Sequence, residues 1–287
     1  MDIEGRRESS NIEDRRGRRP VRTGVGIGVG GLLVLVVLSF MGVDVRPLLG
    51  VLQPQGPSPS ADSSAPYQQS PQEALVRKRV AVVLADTEDA WSAILPPHGV
   101  DYVAPTLVLY TGATESGCGT GQAAMGPFYC PADQKVYVDL SFFDELSTRF
   151  GAPGDFAQAY VIAHEVGHHV QNLLGTSGQV QAARERARNE AKANALSVKL
   201  ELQADCYAGI WARNADQSRQ LLDAGDYEEG IQAAQAVGDD RLQRQAQGYV
   251  VPDSFTHGTS AERAAWFRLG VEQGTLEACD TFRAGRP

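Results

Sequence analysis

The chain has 287 residues, 43% hydrophobic and 21% charged, enough for one sizeable globular domain with a buried core. Its net charge of −9 and pI near 5.1 exclude the basic surface a nucleic-acid binder needs, so no nucleic-acid partner is expected. The charge is uneven, because residues 1–22 carry seven arginines against five acids.

Residues 1–23 read as an Arg-rich tail, and "GVGIGVGGLLVLVVLSFMGV" (24–43) follows without a single charge. A helix of that length, rising about 1.5 Å per residue, spans roughly 30 Å, the thickness of a bilayer's hydrocarbon core. The apolar core of a secretory signal is shorter, about 7–15 residues, and ends at a small-residue cleavage site. "FMGVDV" offers none, although the downstream "PSADSSA" is a weak one. The reading is one transmembrane helix, with a buried soluble helix as the alternative. Since Lys and Arg gather on the cytoplasmic side of spans, the tail is expected in the cytoplasm and everything after residue 44 outside it, at the inner membrane. Residues 44–72, rich in Pro, Ser and Gln, cannot bury a core and read as a flexible linker. All four cysteines follow the span, where disulfides can form. The favoured pairs are Cys118–Cys130, closing a Gly-rich loop, and Cys206–Cys279, tying the C-terminus to a central helix. A zinc site of four thiolates competes, but the sequence contains no C-x-x-C.

A globular domain is expected over 73–287. Residues 73–95 have helical periodicity, "PTLVLY" (105–110) reads as a short strand, and "KVYVDLSF" (135–142) alternates like one, with an edge that an extended peptide can pair with. Helices follow over 155–174 with Asp155 as N-cap, over about 179–213, through 227–247, and over 260–274 with Ser260 as cap. The fold class is therefore mostly α with a small β-sheet (α+β), behind one transmembrane helix.

The chemistry centres on "YVIAHEVGHHVQNLLG" (160–175). Four residues on a helix turn through about 400°, so His164 and His168 leave the same face and can meet one cation. Glu165 projects beside the first histidine, where a carboxylate can take a proton from metal-bound water. This is the H-E-x-x-H pattern of zinc hydrolases, with two histidine ligands and a glutamate base. His169 points about 100° away from His168 and reads as a residue behind the site or at the surface. A catalytic zinc needs a third protein ligand. The H-x-x-G-x-x-H continuation is absent, because Gln171 and Leu174 stand where Gly and His belong. "ELQADCYAG" (201–209) instead offers Glu201 as metal ligand, with Asp205 four residues on to accept a ring N–H and fix its tautomer. In "DSFTHGTSAERAAWF", His257 can donate to a developing oxyanion, while Arg263 orients it or holds a substrate carbonyl. His98 sits in a turn without a nameable partner.

These stretches, with "GRRESSNIEDRRG", "GCGTGQAAMGPFYCPADQKVYVDLSFF" and "AVGDDRLQ", resemble the bacterial neutral zinc metallopeptidases of the YpfJ type along nearly the whole chain. The H-E-x-x-H, later E-x-x-x-D and final T-H…R also resemble HtpX-type membrane metalloproteases, which implies that His257 and Arg263 face the substrate. The resemblance implies a zincin-like, gluzincin-type endopeptidase with one Zn²⁺ per chain and peptide or protein substrates. A zinc-containing but non-catalytic extracytoplasmic scaffold, and an envelope redox or interaction module, are the competing functions. The oligomeric state is not legible.

Overall fold

The computed structural model describes residues 1–17 and 67–283. Strand β1 (Ile12–Asp14) lies in the same sheet as three later strands: β2 (Thr106–Tyr110), β5 (Phe128–Cys130) and β6 (Lys135–Asp139). Their order is β1-β2-β6-β5, with β1, β2 and β6 parallel and β5 antiparallel to β6. Between β2 and β5 a small antiparallel hairpin, β3 (Ala113–Ser116) and β4 (Gly119–Gln122), turns at Gly117 and Cys118. "TLVLY" is buried on both faces, as expected of a parallel strand with neighbours on each side.

The helices are α1 (Pro71–Ile94), α2 (Ser141–Thr148), α3 (Asp155–Leu173), α4 (Thr176–Glu185), α5 (Glu190–Arg219), α6 (Asp226–Ala236), α7 (Asp239–Gln247) and α8 (Ser260–Gln273). Helix α1 opens on a capping box in which Ser70 and Glu73 satisfy each other's backbone N–H groups. The cap of α8 is likewise a box, from Thr259 and Glu262, one residue before the expected Ser260. Helix α3 begins one residue after Gly154, and the Glu229 carboxylate accepts the Phe156 N–H at 3.0 Å in place of a side-chain cap. The long polar helix is two helices, because Asn189 caps a new one by accepting the Lys192 N–H. The 227–247 stretch also breaks in two. A Cβ on Gly238 would lie 2.3 Å from the Ser260 backbone nitrogen, so only glycine fits where the chain passes the start of α8.

Helices α3, α5 and α8 form the centre. Phe156 stacks on Trp211 with ring centroids 5.7 Å apart, and Tyr160 meets Phe267 edge-on at 5.4 Å. Helix α3 crosses α5 closely because Gly167 has no side chain, and a Cβ there would sit 3.0 Å from the Ala204 carbonyl oxygen. Both cysteine pairs form disulfides, Cys118–Cys130 and Cys206–Cys279.

Several expectations need correction. Among the described residues no helix is long and apolar enough to cross a membrane, so the expected transmembrane helix is not supported; the stretch 24–43 on which it falls lies outside the described residues. The first residues are not a separate tail. Residues 1–16 belong to the same compact unit as those from 69 onward, with Ile12–Asp14 in register with Leu107–Leu109. Arg7 reaches Glu88 and Asp89 at 2.8 and 2.7 Å, and the Met1 ammonium lies 3.2, 2.8 and 3.4 Å from Asp155, Asp223 and Asp226. Residues 17–68 form a second unit that is largely outside the described residues, and the expected linker ends earlier than residue 72, since Pro71 already starts α1. The strand expected over 135–142 stops at Asp139, where α2 takes over two residues later. It lies between β2 and β5, so both its edges are filled and it cannot add a peptide.

Candidate metal centre

Helix α3 presents Tyr160, His164, His168 and Gln171 in a stripe at spacings of four, four and three toward α5. Across the Gly167–Ala204 contact, α5 presents Glu201 and Asp205. The His164 Nε2 lies 3.2 Å from one Glu201 oxygen and the His168 Nε2 3.4 Å from the other, with the two rings nearly perpendicular at 87°. The donor atoms of His164, His168 and Glu201 all fall within 4.8 Å of one another. A tetrahedral zinc with bonds of about 2.0–2.1 Å spaces its ligand atoms about 3.3 Å apart, so the set fits that ion in distance and chemistry.

The histidines are held from behind. His164 donates its Nδ1–H to Asp205 at 2.8 Å, which leaves Nε2 as a lone-pair donor. Tyr160 donates to the same Asp205 oxygen at 2.5 Å. Arg263 closes the cluster with a two-pronged contact, 2.8 Å to one Asp205 oxygen and 2.9 Å to the other. Burial alone would raise Asp205, but Arg263 and His164 outweigh it and hold the carboxyl below its usual range. Burial likewise opposes the low pKa of Glu201, and the rings of His168 and His164 override it. His164 would be lowered by burial, yet Asp205 and Glu201 push it up to about 10. A cation and these protons compete for the same ring nitrogens. His168 donates its Nδ1–H to Gln171 Oε1 at 2.9 Å.

Glu165 is buried beside the rings, and its carboxyl is raised by burial against the pull of His164 and His168. Among the described residues no side chain hydrogen-bonds that carboxylate, which leaves it able to exchange a proton. His257 stands half-exposed, its Nδ1 3.1 Å from Asp239. The other Asp239 oxygen accepts backbone N–H groups of Thr256, His257 and Gly258, so one carboxylate shapes the whole loop. The Asp239 hydrogen bond, aided by the Glu201 charge, raises the His257 pKa. Val198, Leu202, Phe255 and Gly258, which flank Glu201 and His257 in the chain, line a cavity of about 630 Å³.

Arg263 is not where the HtpX-type resemblance puts it. It is 3% exposed and its guanidinium is hydrogen-bonded to Asp205, a supporting contact rather than a solvent-facing position. His169 is not at the surface, one of its two expected places: fully buried, it donates Nε2–H to the Val103 carbonyl at 2.6 Å and accepts from the Tyr129 hydroxyl at 3.0 Å. His98 lies 3.6 Å from Glu277. Sequence reasoning missed Tyr160, Asp239, Gln171 and Gln203. Tyr160 and Gln171 were legible only as members of the His164/His168 stripe, one turn before it and three residues after it.

Two imidazoles one helical turn apart, with a carboxylate from a crossing helix, make a candidate metal site in a mostly helical domain, with donors that suit zinc. The comparisons carry this further. A family model described as "Putative neutral zinc metallopeptidase" matches residues 1–282, and the chain belongs to that family. It is 49% identical over 288 residues to the uncharacterized protein YpfJ of Escherichia coli (strain K12), covering 98% of this chain and 99% of that protein. An uncharacterized protein of Mycobacterium tuberculosis (strain ATCC 25618 / H37Rv) is 41% identical over 219 residues, covering 73% of this chain and 71% of its own. No solved structure matches.

Proposed function

We propose that the protein is a zinc-dependent endopeptidase of the H-E-x-x-H, gluzincin type, holding one Zn²⁺ per chain through His164, His168 and Glu201. The observation that carries the reading is the spacing of those three donors, 3.2 and 3.4 Å between ring nitrogens and carboxylate oxygens, with Glu165 beside them. When bound, zinc supplies Lewis acidity toward the scissile carbonyl and toward water. Glu165 then accepts the proton of the attacking water and returns it to the leaving amine, a role suited to a carboxyl whose pKa burial has raised. Asp205 holds the His164 tautomer and, through Arg263, stays ionised while doing so. His257 carries a proton that Asp239 favours and donates it as a hydrogen bond to the developing oxyanion. The two disulfides support an oxidising compartment outside the cytoplasm.

Elemental analysis of the purified chain, paired with a casein-type cleavage assay, tests the reading. Zinc bound with steady turnover is expected, and Glu165→Gln should keep the metal while cleavage drops by about 10²-fold or more. Undiminished cleavage by that variant would remove Glu165 as the base. Zinc without any turnover in the wild type would favour the scaffold.

A further inference from the structure

Behind His164 stands a charged cluster, but behind His168 stands a neutral chain of amides. Gln171 Oε1 accepts the His168 Nδ1–H at 2.9 Å. The Gln171 amide nitrogen donates to the Leu200 carbonyl at 2.7 Å and to Gln203 Oε1 at 3.1 Å, and the Gln203 nitrogen donates to the Cys279 carbonyl at 3.1 Å. Both glutamines are buried, Gln171 fully and Gln203 to 5% exposure, so water does not substitute for a lost partner.

The direction of the chain is fixed by its ends. A backbone carbonyl only accepts, so the Cys279 oxygen requires the NH₂ of Gln203 and thereby turns the Gln203 oxygen toward Gln171. The Leu200 carbonyl and that oxygen both require the NH₂ of Gln171, which turns its own oxygen toward the ring. An oxygen facing Nδ1 requires that Nδ1 carry the proton, so Nε2 keeps its lone pair and points at Glu201. Reversing either amide sets acceptor against acceptor in a buried place. Leu200 directly precedes Glu201, and Cys279 is bonded to Cys206, next to Asp205.

We infer that Gln171 and Gln203 are positioning residues of the metal centre: an amide chain anchored on the Cys279 and Leu200 carbonyls sets the His168 tautomer and ties this ligand to the backbone that carries Glu201. The inference rests on the zinc reading and adds to it a second support, chemically unlike the Asp205–Arg263 pair. Losing an outer partner of a ligand histidine typically costs about 10–100-fold in metal affinity.

The test measures zinc dissociation constants of the full chain by chelator competition, with near-ultraviolet circular dichroism of each variant reporting its packing. Gln171→Met should weaken zinc by about 10–100-fold. Gln203→Met should weaken zinc less than Gln171→Met. Independently of folding, nitrogen NMR of the zinc-loaded wild type should find His168 protonated on Nδ1. An unchanged zinc constant in a folded Gln171→Met variant overturns the inference and leaves the zinc reading intact, while a proton on Nε2 of zinc-loaded His168 overturns the inference and the Nε2 ligation with it. A wild type that binds no zinc overturns both.

Discussion

Arg263→Leu separates a supporting role for this residue from a substrate-facing one. The guanidinium meets both oxygens of Asp205 at 2.8 and 2.9 Å, and the Asp205 side chain is wholly buried. Removing one member of a buried pair leaves an uncompensated charge, which costs about 3–5 kcal/mol. For a chain this long, about 2–4 °C of melting temperature per kcal/mol gives a fall of about 6–20 °C. Tyr160 and His164 also donate to Asp205, so the loss should lie toward the lower end. Differential scanning calorimetry on the chelated protein reads this without interference from bound metal. The double variant Asp205→Asn, Arg263→Leu should lose less than the sum of the single changes, because it leaves no orphan charge. An Arg263→Leu protein that melts within about 2 °C of wild type but has a raised KM would refute the reasoning and return Arg263 to the substrate side.

Other outcomes follow from the same geometry. Gly167→Val should push α3 from the Ala204 backbone, since even a Cβ there approaches the carbonyl oxygen to 3.0 Å; zinc affinity, measured by chelator competition, should fall together with thermal stability. Arg15 and then Lys135 hold the Glu13 carboxyl down to about 2 from an ordinary value of 4.5. A depressed carboxyl contributes its stability above the unfolded pKa and loses it as pH falls. The melting difference between wild type and Glu13→Gln should therefore be constant above about pH 5 and vanish toward pH 2, and a difference that grows on acidification would contradict this. Removing zinc should lower the melting temperature by an amount that depends on free metal, about 2.7 kcal/mol of stability at a hundredfold excess over the dissociation constant. A melting curve indifferent to chelator would show that no such linkage exists.

Much of the site follows from local geometry. His164 and His168, like Glu201 and Asp205, are four residues apart in helical stretches, and the helix alone puts each pair on one face. Two disulfides were favoured from the compartment argument and the placement of four cysteines. The second helix break was missed because Gly238 is required by the approach of Ser260, which lies more than twenty residues away in sequence. The strand "KVYVDLSF" has the pattern of a half-exposed edge, yet β5 and β2 flank it. The Arg-rich start has the composition of a solvated tail, while its arginines find Glu88, Asp89 and Asp14 in the folded unit.

What the sequence determined by itself was the candidate donor set, His164, His168 and Glu201, and that each four-residue pair faces one way. Helical periodicity is a property of neighbouring residues and needs no fold to express it. Only the tertiary structure decided that Arg263 serves Asp205, that Gln171 and Gln203 stand behind His168, and that residues 12–14 complete the sheet. Those pairings join segments tens of residues apart, and burial selects them from many equally polar candidates, because a polar group removed from water must find the partner the packing brings to it.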